Sequence, residues 1–327
     1  MMRRTVTKIF DPADGFAPFV DPVVVTDASV AWRDNRWWLY LAGKILGREG
    51  IQLFSASRPE GAPLAATGWE LTPDAHDPRH VAMLAPQVAS APWDLKGGRH
   101  CPSYVRGWDP RTSAWVERIY YAGGAGAVWG PYTIGFLEWD GGRWVEQPEP
   151  VLVATEEWEH GSVYEPNVVY ADGMWKLWYV AGSNQEDYLV QGFAESPDGV
   201  SGWSTRQVVF PPSEKVFDFC AYSSSQGYEA VFSRVWLAPT AAPAETGLWW
   251  CHAPTASPRM ADWSRPVQIM TGEDRGWHGG PWKPSARYGD ADPSRLFVFF
   301  DGAYTKAGGG PFPFAFTLGC LEIDRPE

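Results

Sequence analysis

Several features that would settle a protein's class quickly are missing from this chain. Only four of its 327 residues are cysteines, and no two form a Cys-x-x-Cys pair. With no histidines clustered near Cys101, Cys220, Cys251 or Cys320, a structural zinc site is not expected. Cysteines spread this widely are expected to be reduced thiols rather than a disulfide framework. No apolar run approaches the ~18 residues of a membrane span. The start, MMRRTVTKIFDPADG, has arginines with no apolar stretch behind them, so it does not read as a signal peptide. A cytoplasmic location is the expectation. Positive charge is also scarce: 27 Lys and Arg stand against 39 Asp and Glu, for a net charge of −12. Without a basic stripe, neither nucleic acid nor an anionic membrane surface is an expected partner. Charged residues make up 20% of the chain, below the ~25% of an average globular protein, and 45% hydrophobic content is ample for a core. Disorder is therefore not expected. Helical periodicity is almost absent.

Aromatic residues are abundant, with 20 Trp, 13 Tyr and 16 Phe. Runs such as RWWLY, MWKLWY and LWW read as packed middle strands, because aromatics favour strands. One of them belongs to VYEPNVVYADGMWKLWYVAG, Val163 to Gly182, which reads as a β-hairpin turning at Asp172-Gly173. The hairpin recurs. Copies begin at Asp27 (DASVAWRDNRWWLYLAG), Cys101 (CPSYVRGWDPRTSAWVERIYYAG) and Glu165, with weaker copies at Asp218 (DFCAYSSSQGYEAVFSR) and Lys283 (KPSARYGDADPSRLFVFFDG). Further strand candidates lie between the copies, giving about four strands per unit. Four-stranded units repeated at this spacing predict an all-β, five-bladed β-propeller of antiparallel blades. It is read as a single domain over 1–327, its inner strands starting near 27, 101, 165, 218 and 283. The last unit is a strand short, and the N-terminal TVTKIF is expected to complete it.

In a propeller the innermost strands surround one axis, so equivalent positions converge. The anchors Asp27, Cys101, Glu165, Asp218 and Lys283 are expected to meet at one mouth. Period two adds Ser29, Ser103, Asn167, Cys220 and Ser285, flanked by Arg99, His100, Tyr164, Trp277, His278 and Trp282. Three carboxylates and a lysine in one place shift one another's pKa. That is how a pair of carboxyls becomes an acid and a base at neutral pH, as glycoside hydrolysis requires. The bland reading of any one acid is a solvated strand end. Cys101 and Cys220 are expected to fill space, and no metal or cofactor is called for.

An acid heading several inner strands, then P-S/N-V, then DG followed by an aromatic strand, resembles the five-bladed propeller glycoside hydrolases. These are grouped with family 43 (arabinofuranosidases, xylosidases, arabinanases) and family 32 (invertase-like enzymes). The FAESPDGVSGW stretch is similar to an outer-blade hairpin of such proteins. The resemblance implies a pocket enzyme cleaving a glycosidic bond in a small-molecule or oligosaccharide substrate, with furanosides or pentosides favoured and inversion as the outcome. Carried over, it makes Asp27 the base, Glu165 the proton donor and Asp218 the assisting acid. Substrate contacts are expected from Arg99, His100, Ser103, Tyr164, Asn167, Arg234, Trp277, His278, Trp282 and Lys283. The chain departs from the pattern in placing its Glu before the assisting Asp, in lacking W-M-N-D-P-N-G, and in carrying RHCPS where R-D-P would stand. Three other readings stay open, one of them an altered chemistry on the same fold, such as transglycosylation or a tailoring step on a small glycoside. A glycoside phosphorylase would use Arg99, His100, Arg106, Arg234, Lys283 or Arg287 for phosphate. A non-catalytic carbohydrate-binding propeller would use Trp277 and Trp282 as platforms.

Overall fold

The computed structural model of the chain describes residues 3–86, 92–94, 96–127, 130–183, 188–234, 246–271, 279–303 and 316–326. Strand β1 (Arg4–Phe10) comes first. Blade 1 then holds β2 (Pro22–Arg33), β3 (Arg36–Ile45), β4 (Gln52–Ser57) and β5 (Glu70–Leu71). Blade 2 holds β6 (Gly98–Asp109), β7 (Ala114–Ala127), β8 (Gly130–Trp139) and β9 (Trp144–Glu146). Blade 3 holds β10 (Val163–Ala171), β11 (Met174–Ser183), β12 (Tyr188–Ser196) and β13 (Ser204–Phe210). Blade 4 holds β14 (Val216–Ser224), β15 (Gly227–Arg234), β16 (Gly247–Ala253) and β17 (Val267–Thr271). Blade 5 holds β18 (Gly279–Tyr288), β19 (Arg295–Ala303) and β20 (Phe316–Asp324), and β1 pairs antiparallel with β20 as its fourth strand. The two ends of the chain thus share one sheet, which closes the five-bladed propeller. Among the described residues, no helix is long and apolar enough to cross a membrane.

Local chemistry explains the hairpins. Asp172 and Gly173 both take positive φ, 55° and 75°, and so do Asp34 and Asn35, 50° and 57°. Two consecutive left-handed residues give the turn whose twist matches the flanking strands, and Asp, Asn and Gly reach it most cheaply. The aromatic strands then pack between blades rather than into one central core. Val25, Leu39 and Phe54 meet Phe299 and Leu318 between blades 1 and 5. Tyr40 meets Tyr121 and Leu137 between blades 1 and 2, and Trp175 meets Tyr120 and Phe136 between blades 2 and 3. Trp178 meets Phe219 between blades 3 and 4, and Leu248 meets Val298 and Leu321 between blades 4 and 5. Trp175 and Trp178 are fully buried. All four cysteines are free and buried.

A ring of side chains ties the inner strands together. Ser29 Oγ accepts the Tyr104 amide at 3.0 Å, and Ser103 Oγ accepts the Val168 amide at 2.9 Å. Asn167 Oδ1 accepts the Ala221 amide at 2.9 Å, Cys220 takes that of Ala286, and Ser285 Oγ accepts the Val30 amide at 2.9 Å. Each blade's residue two past its anchor therefore binds the backbone of the next blade, all the way round. Period two had suggested Ser103 and Asn167 as substrate contacts. In the structure their oxygens are engaged in holding blades 2, 3 and 4 in register. Cys220, expected only to fill space, supplies the fourth link.

Candidate active site

The anchors do not begin the inner strands. They are the third to sixth residues of those strands, at a break in the ladder that recurs in every blade. The register shifts between Thr26 and Ser29, His100 and Ser103, Tyr164 and Asn167, Val216 and Phe219, and Trp282 and Ser285. A bulge sets two residues opposite one and re-aims a side chain. The residue after the anchor is Pro102, Pro166 or Pro284 in three blades, which suits a position with no ladder bond to make. At four of the five bulges the anchor is left-handed: Asp27 at φ 54°, Cys101 at 56°, Glu165 at 52° and Lys283 at 48°. None is glycine. Such a backbone costs about 1–3 kcal/mol per residue, and strain of this kind concentrates at functional sites.

The strained anchors present their amides as well as their side chains. Asp27 Oδ2 accepts the Cys101 amide at 3.1 Å, and Asp218 Oδ2 accepts the Lys283 amide at 2.6 Å. The Asp27 amide goes to Asp301 Oδ2 at 2.7 Å. Each of these bonds runs from an anchor to a carboxyl of the preceding blade. In blade 5 the anchor is a lysine, which cannot accept. Asp301 on the adjacent strand β19 takes that role.

The side chains form one connected cluster. The Cys101 thiol donates to Asp27 Oδ2 at 3.5 Å, and Glu165 lies near enough for its charge to act on the same sulfur. Blades 1 and 3 thus place two carboxyls against one sulfur. Burial pushes the thiol well up, with the charges of Asp27 and Glu165 adding to it. Lys283 Nζ sits 3.1 Å from Glu165 Oε2 with both side chains almost buried. Burial alone would pull Lys283 down; Glu165, with Cys101, Asp218 and Asp27 behind it, more than offsets that and holds the ammonium charged. Asp218 is pushed well above the carboxylate range by burial first and then by the neighbouring charge of Glu165. The Asp218 carboxyl is thus held toward its protonated form beside Glu165. Ser233 Oγ donates to Asp218 Oδ2 at 3.1 Å and fixes its orientation. Below the anchors runs an axial cavity of about 20 Å³, lined by Glu165, Asn167, Asp218, Cys220, Lys283 and Ser285 among others. That volume has room for a water but not for a sugar ring. Among the described residues, no set of three His, Cys, Asp or Glu side chains could hold a metal ion.

The remaining expected contacts divide. Tyr164 is buried beside the cluster against Tyr132 and Phe217, its hydroxyl pushed up by burial and then by Glu165. His100 is half-buried, with Nε2 3.1 Å from the Gly97 carbonyl and its ring edge-on to Tyr132. Arg99 does not join them. It is fully buried and paired with Asp94 at 2.8 Å and Glu146 at 2.6 Å. The bulge at Cys101 breaks the period-two alternation, so a residue two before the anchor does not share its direction. Arg234 is paired with Glu214 at 3.1 Å and lies over the Trp249 ring. Trp282 is buried edge-on to Phe316, so it is not a sugar platform. Trp277 and His278 lie outside the described residues. The sequence reading missed Asp301, which is fully buried in the cluster. Its signal was an Asp opposite the residue before the anchor, where blades 1, 2 and 3 carry Ala42, Ala122 and Val180. It also gave Cys101 no role, whereas the thiol links the two carboxyls.

No family model matches the chain, and no curated protein does either. Solved structures do match. The catalytic domain of a family 62 α-L-arabinofuranosidase from Coprinopsis cinerea is 12% identical, with a TM-score of 0.61, covering 97% of this chain and 96% of that one. A family 117 glycoside hydrolase from the marine bacterium Zobellia galactanivorans is 12% identical, with a TM-score of 0.62 and 99% and 91% coverage. A thermostable family 43 glycoside hydrolase is 13% identical, with a TM-score of 0.58 and 95% and 96% coverage. At these identities the likeness is one of fold. The architecture implied by the sequence motifs is shared with glycoside hydrolases along nearly the whole chain.

Proposed function

We propose that this protein is a glycoside hydrolase, cleaving a furanoside or pentoside-type bond at the anchor cluster. Asp27 acts as the base that activates water, and Glu165 as the acid that protonates the leaving oxygen. Asp218 assists by sharing its proton with Glu165. The observation that carries this reading is the Cys101 thiol beside both Asp27 and Glu165. It brings two carboxyls from different blades to one sulfur at the mouth, one of them beside the raised carboxyl of Asp218, which is the inventory glycoside hydrolysis needs. Asp218 holds a proton that Glu165 can receive as the leaving oxygen departs. The net-neutral Glu165–Asp218–Lys283 group beside Asp27 leaves the mouth suited to an oxocarbenium-like transition state. The likeness of fold to glycoside hydrolases supports the same reading.

Phosphorolysis has less support. Arg99, Arg234 and Lys283 are each engaged by a carboxylate, so none of the three is a ready phosphate ligand. The test is ¹H NMR of the protein with a panel of furanosides and pyranosides, with and without phosphate. Release of free sugar at equal rates in both is expected. Sugar phosphate formed only with phosphate present would overturn hydrolysis, and broadened sugar signals without turnover would point to a binding module.

A further inference from the structure

We propose that Asp301 is a positioning residue for Asp27, a carboxyl group that keeps its proton and donates it in a hydrogen bond to the Asp27 carboxylate. The inference rests on the reading of Asp27 as the base. Two contacts carry it. Asp301 Oδ2 accepts the Asp27 amide at 2.7 Å, fixing the left-handed backbone that aims Asp27 at the mouth. The Asp301 carboxyl also lies against the Asp27 carboxyl itself. Asp301 is fully buried, and no described group donates to its Oδ1. Two carboxyls in contact, both acceptors when ionised, need a proton between them. The proton belongs on Asp301, the more enclosed of the two, because burial opposes its charge and the charges of Asp27 and Glu165 add to that opposition. The charged and titratable groups around the pair are Cys101 from β6, Tyr132 from β8, Glu165 from β10 and Lys283 from β18.

The consequence for a base is specific. A neutral donor behind Asp27 stabilises its ionised form and orients the free lone pairs. An ionised Asp301 would do the opposite, raising the Asp27 pKa by repulsion. A role limited to capping the Asp27 amide would leave that pKa alone.

The test uses the full chain labelled with ¹³Cγ-aspartate, with Asp301→Asn and Asp301→Ala compared to wild type. Asn is isosteric with a protonated carboxyl and keeps both the acceptor and the donor. The Asp301 resonance is expected to stay at the protonated position from pH 4 to 8. The Asp27 midpoint is expected to hold within about 0.3 units in Asp301→Asn and to rise by about 1 unit in Asp301→Ala. The acid limb of kcat/KM is expected to follow it, with near-normal activity in the Asn variant and at least ~10-fold loss in the Ala variant. An Asp301 resonance at the carboxylate position at pH 7, or an Asp27 midpoint about 1 unit lower in the Asn variant, overturns the proposal. Should the Ala variant not fold, the Asn variant and the wild-type titration decide alone. The titration needs no substrate. Failure of the hydrolase reading shows as normal titrations without turnover; failure of this inference shows as an ionised Asp301 with turnover intact.

Discussion

Asp27→Asn is expected to lower kcat/KM for the cleaved glycoside by at least ~10³-fold, the scale on which a general base contributes. The fold is expected to survive. Asn tolerates the left-handed backbone that Asp27 adopts at φ 54°. Its carbonyl still accepts the Cys101 amide, and its NH₂ faces Asp301 in place of a carboxylate. What it loses is the capacity to take a proton from water. Steady-state kinetics beside urea denaturation separate the two effects: activity lost with an unchanged midpoint is the expected result. A variant that keeps more than about a tenth of wild-type activity removes Asp27 from the chemistry.

Lys283→Met is expected to have the largest effect on stability, a loss of about 3–5 kcal/mol by urea denaturation at pH 7, as for any buried ion pair deprived of one partner. Glu165 would be left beside Asp218 with no cation, in a site where both are enclosed. The pH dependence follows from the direction of each shift. Lys283 is raised, so its contribution is complete below its unfolded value of about 10.4 and is lost only as pH climbs through its still higher folded value. It is constant across the neutral range. Asp218 and Asp301 are also raised. Their contributions are complete below about 3.9 and fade as pH rises through their folded values. Removing the ammonium raises the carboxyls further, so the deficit of Lys283→Met against wild type is expected to widen from pH 5 to pH 8. Glu165→Gln added to Lys283→Met is expected to recover more than half of the loss, since the buried charge is gone. A deficit below about 1 kcal/mol with no pH dependence would mean that the pair is solvated and the cluster is not the enclosed site described.

The repeat was legible because hairpin chemistry is local. A positive-φ turn such as Asp172-Gly173 and the alternation of MWKLWY declare a hairpin within a dozen residues, and the hairpin's recurrence declares the blades. The convergence of Asp27, Cys101, Glu165, Asp218 and Lys283 followed from that repeat alone. The bulge did not declare itself. Nothing in Cys101, Glu165 or Lys283 as residue types calls for a left-handed backbone, and the bulge that accompanies it shows only in the register of the paired strands. Nearness in sequence to Cys101 makes Arg99 look like a flank of the mouth, but ahead of the bulge its side chain turns away to pair with Asp94 and Glu146. Period two did bring Ser103 and Asn167 to the axis, where backbone amides of the next blade claim them. Asp301 was hidden by its setting in FFDG, where Asp-Gly reads as the end of a strand. Only its pairing opposite Trp282 places it behind Asp27.

The central claim is that Glu165 supplies a proton to the leaving oxygen while Asp27 serves the attacking water. Glu165→Gln and Asp27→Asn compared on two glycosides of the same sugar, one with a nitrophenyl leaving group and one with an alkyl or sugar leaving group, test it most directly. A nitrophenolate departs without protonation. Glu165→Gln is therefore expected to lose about 10²–10⁴-fold on the poor leaving group and far less on the nitrophenyl glycoside, while Asp27→Asn loses heavily on both. Equal losses on the two substrates for Glu165→Gln, or no loss on either, would contradict the account.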